Sequence, residues 1–194
     1  GVHGLEQMKF PTAFVDQVTY DVTMPFIRMM AGPVDYTQGA MHNASRENFR
    51  AIHDEPMSQG TRCRQLAEYI VFDSPLNMLC DSPSSYEREH ECTSFIAGIP
   101  TVWDHTTVLC GKVSEYIATA RQKGNIWYVG AMTNWEECTI EIDLSFLGAG
   151  DFKAEIFRDG VNAYRYARDY KKELIEIPAD RKLKVRMAPG GGFA

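Results

Sequence analysis

The hydrophobic period changes once along this chain of 194 residues, near residue 105, and that change limits the folds open to it. Before it, Cys63, Leu66, Ala67, Ile70 and Val71 recur at i, i+3, i+4, i+7 and i+8. That spacing gathers apolar side chains on one stripe of a helix, predicted to start at Gly60 and to stop before Ser74-Pro75. Ser84-Ser-Tyr-Glu87 has the Ser-x-x-Glu arrangement of a capping box and announces a second helix, with Cys92, Phe95, Ile96 and Ile99 as its buried face. The short apolar run Pro75 to Cys80 reads as a buried strand or a tight connection, and Val22 to Ala31 as an apolar strand containing Pro25.

After Pro100 the period becomes two. Ser114 to Ala120 and Ile126 to Met132 flank Gln122-Lys-Gly-Asn125 and predict a hairpin with Gly in its turn. Strict alternation follows at Cys138/Ile140/Ile142/Leu144, at Phe152/Ala154/Ile156 and at Leu183/Val185/Met187. Turn clusters at Gly148 to Asp151, Asp159-Gly160 and Pro178 to Arg181 separate these half-buried antiparallel strands. The expected organisation is an α/β part over residues 1–105 and a small antiparallel β-sandwich over residues 106–194.

Composition removes several classes of function. A hydrophobic fraction of 44% with 11% aromatics supplies a core and excludes intrinsic disorder. No apolar run approaches the roughly 18 residues of a membrane span, so no membrane partner is expected. The net charge of -6 and the lack of a basic block argue against nucleic acid. Residues 1–105 hold 7 Lys and Arg against 14 Asp and Glu, net -7, whereas the remainder holds 13 against 12, net +1. All five histidines lie in the first part, so acid–base chemistry is expected early. Gly1 is not a start Met and opens directly into a patterned segment, as expected of a piece of a longer protein.

Five cysteines (Cys63, Cys80, Cys92, Cys110, Cys138) form no CxxC pair, which argues against zinc, and buried free thiols are expected. Glu6 follows a Gly1-x-x-Gly4 stretch and precedes Met8, Phe10 and Phe14. A carboxyl against apolar neighbours favours its neutral form, as a general acid needs, and the competing reading is a surface Glu at a loop edge. Asp35-Tyr36 either lines a polar pocket, with the Tyr as a sugar-stacking face, or is a simple turn. Met57 to Cys63 reads as a helix start, and Trp103, Trp127 and Trp135 as core or junction anchors. Tyr164, Tyr166 and Tyr170, mixed with Arg and acidic residues, read as a polar loop.

Seven blocks in order resemble the C-terminal part of glycoside hydrolase family 97, which includes Bacteroides-type α-glucosidases and α-galactosidases. They are Gly1-Val-His-Gly-Leu-Glu6, Pro25 to Met41, Met57 to Arg62, Ser74 to Pro83, Pro100 to Asp104, Trp127 to Met132 and Ala188 to Phe193. The resemblance implies a longer enzyme with an N-terminal β domain, a (β/α)8 barrel and a C-terminal β domain. Here residues 1–105 would be the last barrel segments and residues 106–194 the β-sandwich. It also implies that Glu6 is the proton donor and a ligand of a calcium ion, with His3 in place of the family's usual Arg. The opposing carboxylate and most calcium ligands would lie outside this chain. The implied substrate is an oligosaccharide with terminal α-linked glucose, or alternatively galactose, in the periplasm or outside the cell. The implied partners are the N-terminal and barrel parts of the same protein, without which this chain would be inactive. The competing view from another class is a non-catalytic carbohydrate-binding or interdomain-packing β module.

Overall fold

The computed structural model describes residues 3–5, 8–10 and 15–194. Three short parallel strands, β1 (His3–Gly4), β2 (Tyr36–Gln38) and β5 (Asn77–Leu79), form a sheet in the order β1-β2-β5. Parallel neighbours need crossovers, and here these are helices α1 (Gln17–Ile27) and α2 (Arg62–Val71). A two-residue parallel ladder, β3 (Asn43–Ala44) with β4 (Ser58–Gln59), braces the loop between β2 and α2. Among the described residues no closed barrel forms, so the first part of the chain is observed as three parallel strands with their helices.

The strand expected over Val22 to Ala31 is not formed. Residues 17–27 are helical and Arg28–Ala31 continue as a 3-10 turn. A continuous apolar run carries no period of its own, and the deciding signal lies upstream, where Asp16 caps the helix by accepting from Thr19 N at 3.0 Å. Pro25 cannot donate to the carbonyl of Asp21, and the helix ends two residues later. The cap of the next helical pair also differs. Ser82, rather than Ser84, accepts from Ser85 N at 3.2 Å, with Pro83 in the first turn. Glu89 (φ -104°, ψ 45°) splits the segment into α3 (Pro83–Arg88) and α4 (His90–Gly98). The buried face of α4 is as read: Cys92, Ile96 and the following Ile99 are buried, and Phe95 packs against Phe157 at 4.7 Å between ring centroids.

The remaining strands are β6 (His105–Lys112), β7 (Tyr116–Lys123), β8 (Ile126–Thr133), β9 (Cys138–Asp143), β10 (Lys153–Asp159), β11 (Tyr170–Glu176), β12 (Lys182–Met187) and β13 (Gly192–Phe193). They make a six-stranded sheet in the order β11-β10-β13-β8-β7-β6 and a two-stranded ribbon, β12-β9, all paired antiparallel. The β7–β8 hairpin turns through Gly124, at φ 56°, as the sequence indicates. Between ribbon and sheet lie Ile140, Ile142, Val185 and Met187 against Ala118, Ala131, Ile156 and Phe193, which is a sandwich core. Strands β6 and β11 carry little alternation because they are the sheet's two edges, with Val108 and Leu174 exposed.

Helix α2 lies against the other face of the large sheet and joins the two parts of the chain. Its ten residues are all buried, so the expected single stripe is an entire buried cylinder. Gly130 on β8 permits this approach, since a Cβ there would sit 2.9 Å from the carbonyl oxygen of Ala67. From β7, Arg121 donates to Ile70 O at 2.5 Å and Val71 O at 3.0 Å, satisfying carbonyls at the C-terminal end of α2.

Candidate functional site

The carboxyl ends of β1, β2 and β5 form one edge, and the loops leaving it are held by side chains from elsewhere in the fold. At Gly4 (φ 125°) a Cβ would meet the backbone of Thr37 at 2.6 Å, so only glycine lets β1 lie this close to β2. After β2 the chain turns at Gly39 (φ 90°), where a Cβ would strike the hydroxyl of Tyr69 at 2.4 Å. The amide oxygen of Gln65, on α2, accepts from Gly39 N at 2.8 Å and Ala40 N at 3.2 Å. Asp81, just beyond β5, accepts from Met41 N at 2.7 Å and His42 N at 3.3 Å. Tyr86 donates to Gly39 O at 3.0 Å and accepts from Asp81 N at 3.2 Å. Burial pushes the Tyr86 phenol above its usual range, so it stays a donor at any ordinary pH.

Arg62 finishes the clamp. It donates to Met41 O at 2.6 Å, to Asn43 Oδ1 at 2.6 Å and to Glu89 Oε2 at 2.9 Å. Beside this edge a recess of about 290 Å³ is lined by His42, Glu55, Ser85, Arg88, Glu89 and Arg168, with Met41 at its wall. The loop 39–42 is therefore fixed by groups from α2, from the end of β5 and from α3 before any ligand arrives, which is how a scaffold presents polar groups without reorganisation.

Beneath the edge sits a buried charge cluster. Asp21 accepts from Gln17 Nε2 at 2.8 Å and from the phenol of Tyr36, while Arg64 lies 3.5 Å from Asp21 and 3.3 Å from Glu68. One guanidinium faces two carboxyls. Burial raises both, and repulsion from Asp21 raises Glu68 further, so Glu68 holds the proton. Arg64 also donates to Thr133 O at 2.8 Å and Val18 O at 2.7 Å, tying α1, α2 and β8 together.

The sequence-derived candidates separate clearly. Glu6 lies outside the described residues; β1 ends at Gly4 and Leu5 is buried. Tyr36 is no sugar-stacking face: it is fully buried, in the cluster just described, with its ring 4.5 Å from Phe72. Met57 to Cys63 is a helix start, with Thr61 as the cap. Cys63 and Cys92 are buried free thiols, Cys110 and Cys138 are free and half-buried, and Cys80 is half-buried as well. The tryptophans anchor packing, Trp127 against Phe146 at 4.5 Å and Trp103 against Tyr128 at 5.2 Å. Among the described residues no group of three or more His, Cys, Asp or Glu is disposed to hold a metal, and no helix is long and apolar enough to cross a membrane. Gln65, Asp81, Tyr86 and Arg62 were not singled out from sequence. Arg62 and Asp81 each had a signal, lying in the resembling blocks Met57 to Arg62 and Ser74 to Pro83, with no role attached to either.

A model of the glycosyl-hydrolase 97 C-terminal domain, described with oligomerisation, matches residues 102–194. The whole chain is 63% identical to a retaining α-galactosidase of Bacteroides thetaiotaomicron, of which it covers 29%. It is 27% identical, again over its full length, to a probable retaining α-galactosidase of Streptomyces bingchenggensis, covering 27% of that protein. The chain thus spans under a third of these curated relatives. A family 97 glycoside hydrolase from Pseudoalteromonas sp. strain K8, solved in complex with acarbose, matches 98% of the chain with 30% of its own, at TM-score 0.87 and 33% identity. A β-arabinopyranosidase has the same fold at TM-score 0.77 and 19% identity, over 97% of this chain and 28% of its own.

Proposed function

The chain belongs to glycoside hydrolase family 97, matching its C-terminal part, and on that premise we propose that the longer protein is a retaining α-galactosidase to which this chain supplies the general acid, Glu6. One observation carries the substrate choice: the identity of 63%, end to end, with a retaining α-galactosidase. It reverses the order read from sequence, in which α-linked glucose came first.

In this reading β1, β2 and β5 are the last strands of a (β/α)8 barrel completed by the missing part of the protein. Ligands of such barrels sit at the carboxyl ends of the strands, where the clamped loop 39–42 emerges and where Glu6 follows β1 in sequence. Glu6 protonates the glycosidic oxygen as the C–O bond breaks, and a carboxylate from outside this chain attacks the anomeric carbon. Glu6 then takes a proton from the water that releases the sugar. The calcium expected by resemblance would be held mainly outside this chain, with Glu6 as its one ligand here, and no step above depends on it. We assign the protein to the periplasm or the exterior. The β-sandwich serves packing and self-assembly in the same proposal, supported by the oligomerisation role in the matching family's description.

The test is hydrolysis by the longer protein of p-nitrophenyl α-galactoside and α-glucoside, with the anomer of the first product read by NMR. Preference for the galactoside with α product first is expected. Preference for the glucoside, or β product first, overturns the reading.

A further inference from the structure

Strand β13 is two residues long, yet it lies between two strands of eight and seven residues. It pairs with β8 only at Met132 and Ala131, and with β10 at Arg158. Its last rungs are Phe157 N donating to Ala194 O at 2.7 Å and Ala194 N donating to Phe157 O at 3.0 Å. Beyond that point Ile126 to Gly130 of β8 pair with β7 alone, and Lys153 to Ile156 of β10 pair in the strand ladders with β11 alone. The two strands run on as the walls of a slot one strand wide, about 10 Å between their axes.

The slot is a cavity of about 470 Å³, and its lining alternates as a strand would require. Phe193 belongs to the sandwich core and Ala194 to the core beneath α2 and α4. Continuing the register, the first position after Ala194 falls between Val129 and Ile156 on the sandwich side. The second falls between Tyr128 and Glu155 on the helix side, near Phe95. The third falls between Trp127 and Ala154, facing Phe146. Backbone groups follow the same rule. Thr133 N donates to Gly191 O, so the groups of Val129 and Trp127, at every second residue, face the slot from β8, and those of Glu155 face it from β10.

We propose that this slot is a strand-binding site, filled in the longer protein by about three or four extended residues that directly follow Ala194, apolar at the first and third positions. Ala194 already enters the slot in register with both walls, so a continuing chain needs no turn to occupy it. A strand from a second copy would have to end against Ala194.

Hydrogen–deuterium exchange on the longer protein with its natural C-terminus, and on the same protein stopped at Ala194, tests this without reference to activity. The amides of Val129 and Glu155 are expected to exchange on the order of a hundredfold more slowly in the first form than in the second. Equal exchange in the two forms overturns the proposal. So does a natural protein whose intact mass ends it at Ala194, or polar residues at the first and third positions. Protection that vanishes on dilution together with a dimer assigns the slot to a second copy and overturns it as well. If the shortened form does not fold, the intact protein decides: slow exchange at both amides supports the proposal and fast exchange overturns it.

Discussion

Trp135 donates its indole N–H to Asp16 at 2.9 Å, joining the loop after β8 to the cap of α1 across 119 positions of sequence. The same carboxylate oxygen caps the helix at Thr19 N, and its partner oxygen accepts from the Thr19 hydroxyl at 2.8 Å. One side chain thus starts the first crossover helix and docks it on the β domain. Trp135→Phe keeps an aromatic ring but removes the donor and part of the indole, and the lost bond is expected to cost about 1–2 kcal/mol in denaturant unfolding, with the lost packing in addition. A double-mutant cycle with Asp16→Ala should show coupling of similar size; additive costs would contradict the linkage.

The buried cluster makes an asymmetric prediction. Among the described residues Arg64 is the one cation paired with both Asp21 and Glu68, and Arg64→Met strands a buried charge, so a loss of about 3–5 kcal/mol is expected. Glu68 already carries its proton, and Glu68→Gln should cost less than about 1.5 kcal/mol. Equal costs for the two changes, in unfolding titrations, would contradict the assigned protonation.

Asp159 gives the pH dependence. It accepts from Ala188 N at 2.9 Å and Gly192 N at 3.1 Å, yet burial outweighs these bonds and pushes its carboxyl up to about 6. The folded chain therefore holds this proton more tightly than the unfolded one. Its contribution is fully present below about pH 4 and is lost as pH rises through about 6, a swing of about 3 kcal/mol. Asp159→Asn should remove that window. Stability curves of parent and variant that stay parallel from pH 4 to 7 would rule this out.

Close approach of β13 to α2 rests on Gly192. A Cβ there would lie 2.5 Å from Arg64 Cα and 2.6 Å from Arg64 N, both backbone atoms that cannot swing aside. Gly192→Ala is expected to cost about 3 kcal/mol or more. At Gly98, near the end of α4, a Cβ meets nothing within 4 Å, and Gly98→Ala should be neutral or slightly stabilising. Calorimetric melting of both variants distinguishes them.

Periodicity made the β domain legible because its strands are half-buried: Ile140, Ile142, Val185 and Met187 alternate with exposed charge. It failed where a segment is buried on every side. Helix α2 hides Arg62, Arg64, Gln65 and Glu68, and no pattern reveals that these polar residues face partners brought from distant parts of the chain. It failed again over Val22 to Ala31, where an unbroken apolar run fits a strand or a helix equally. The loop clamp was illegible for a further reason. Gln65 and Asp81 act on backbone amides 25 to 40 positions away, which only the folded topology brings near. Glu6, by contrast, is singled out by its glycine and apolar neighbours, while its expected role as proton donor comes from the resemblance of motif blocks.

Whether Glu6 is the acid of the proposed glycosidase is decided by Glu6→Gln in the longer protein, assayed on an unactivated α-galactoside disaccharide and on an α-galactoside with a good leaving group. Loss of turnover on the disaccharide by about 10²–10⁴-fold is expected, because its leaving oxygen must be protonated. A much smaller loss in bond cleavage is expected for the activated substrate, with a burst from accumulating glycosyl-enzyme, since Glu6 would also assist the attacking water. Unchanged turnover of the disaccharide by a folded Glu6→Gln protein would contradict the role and leave the segment a packing module.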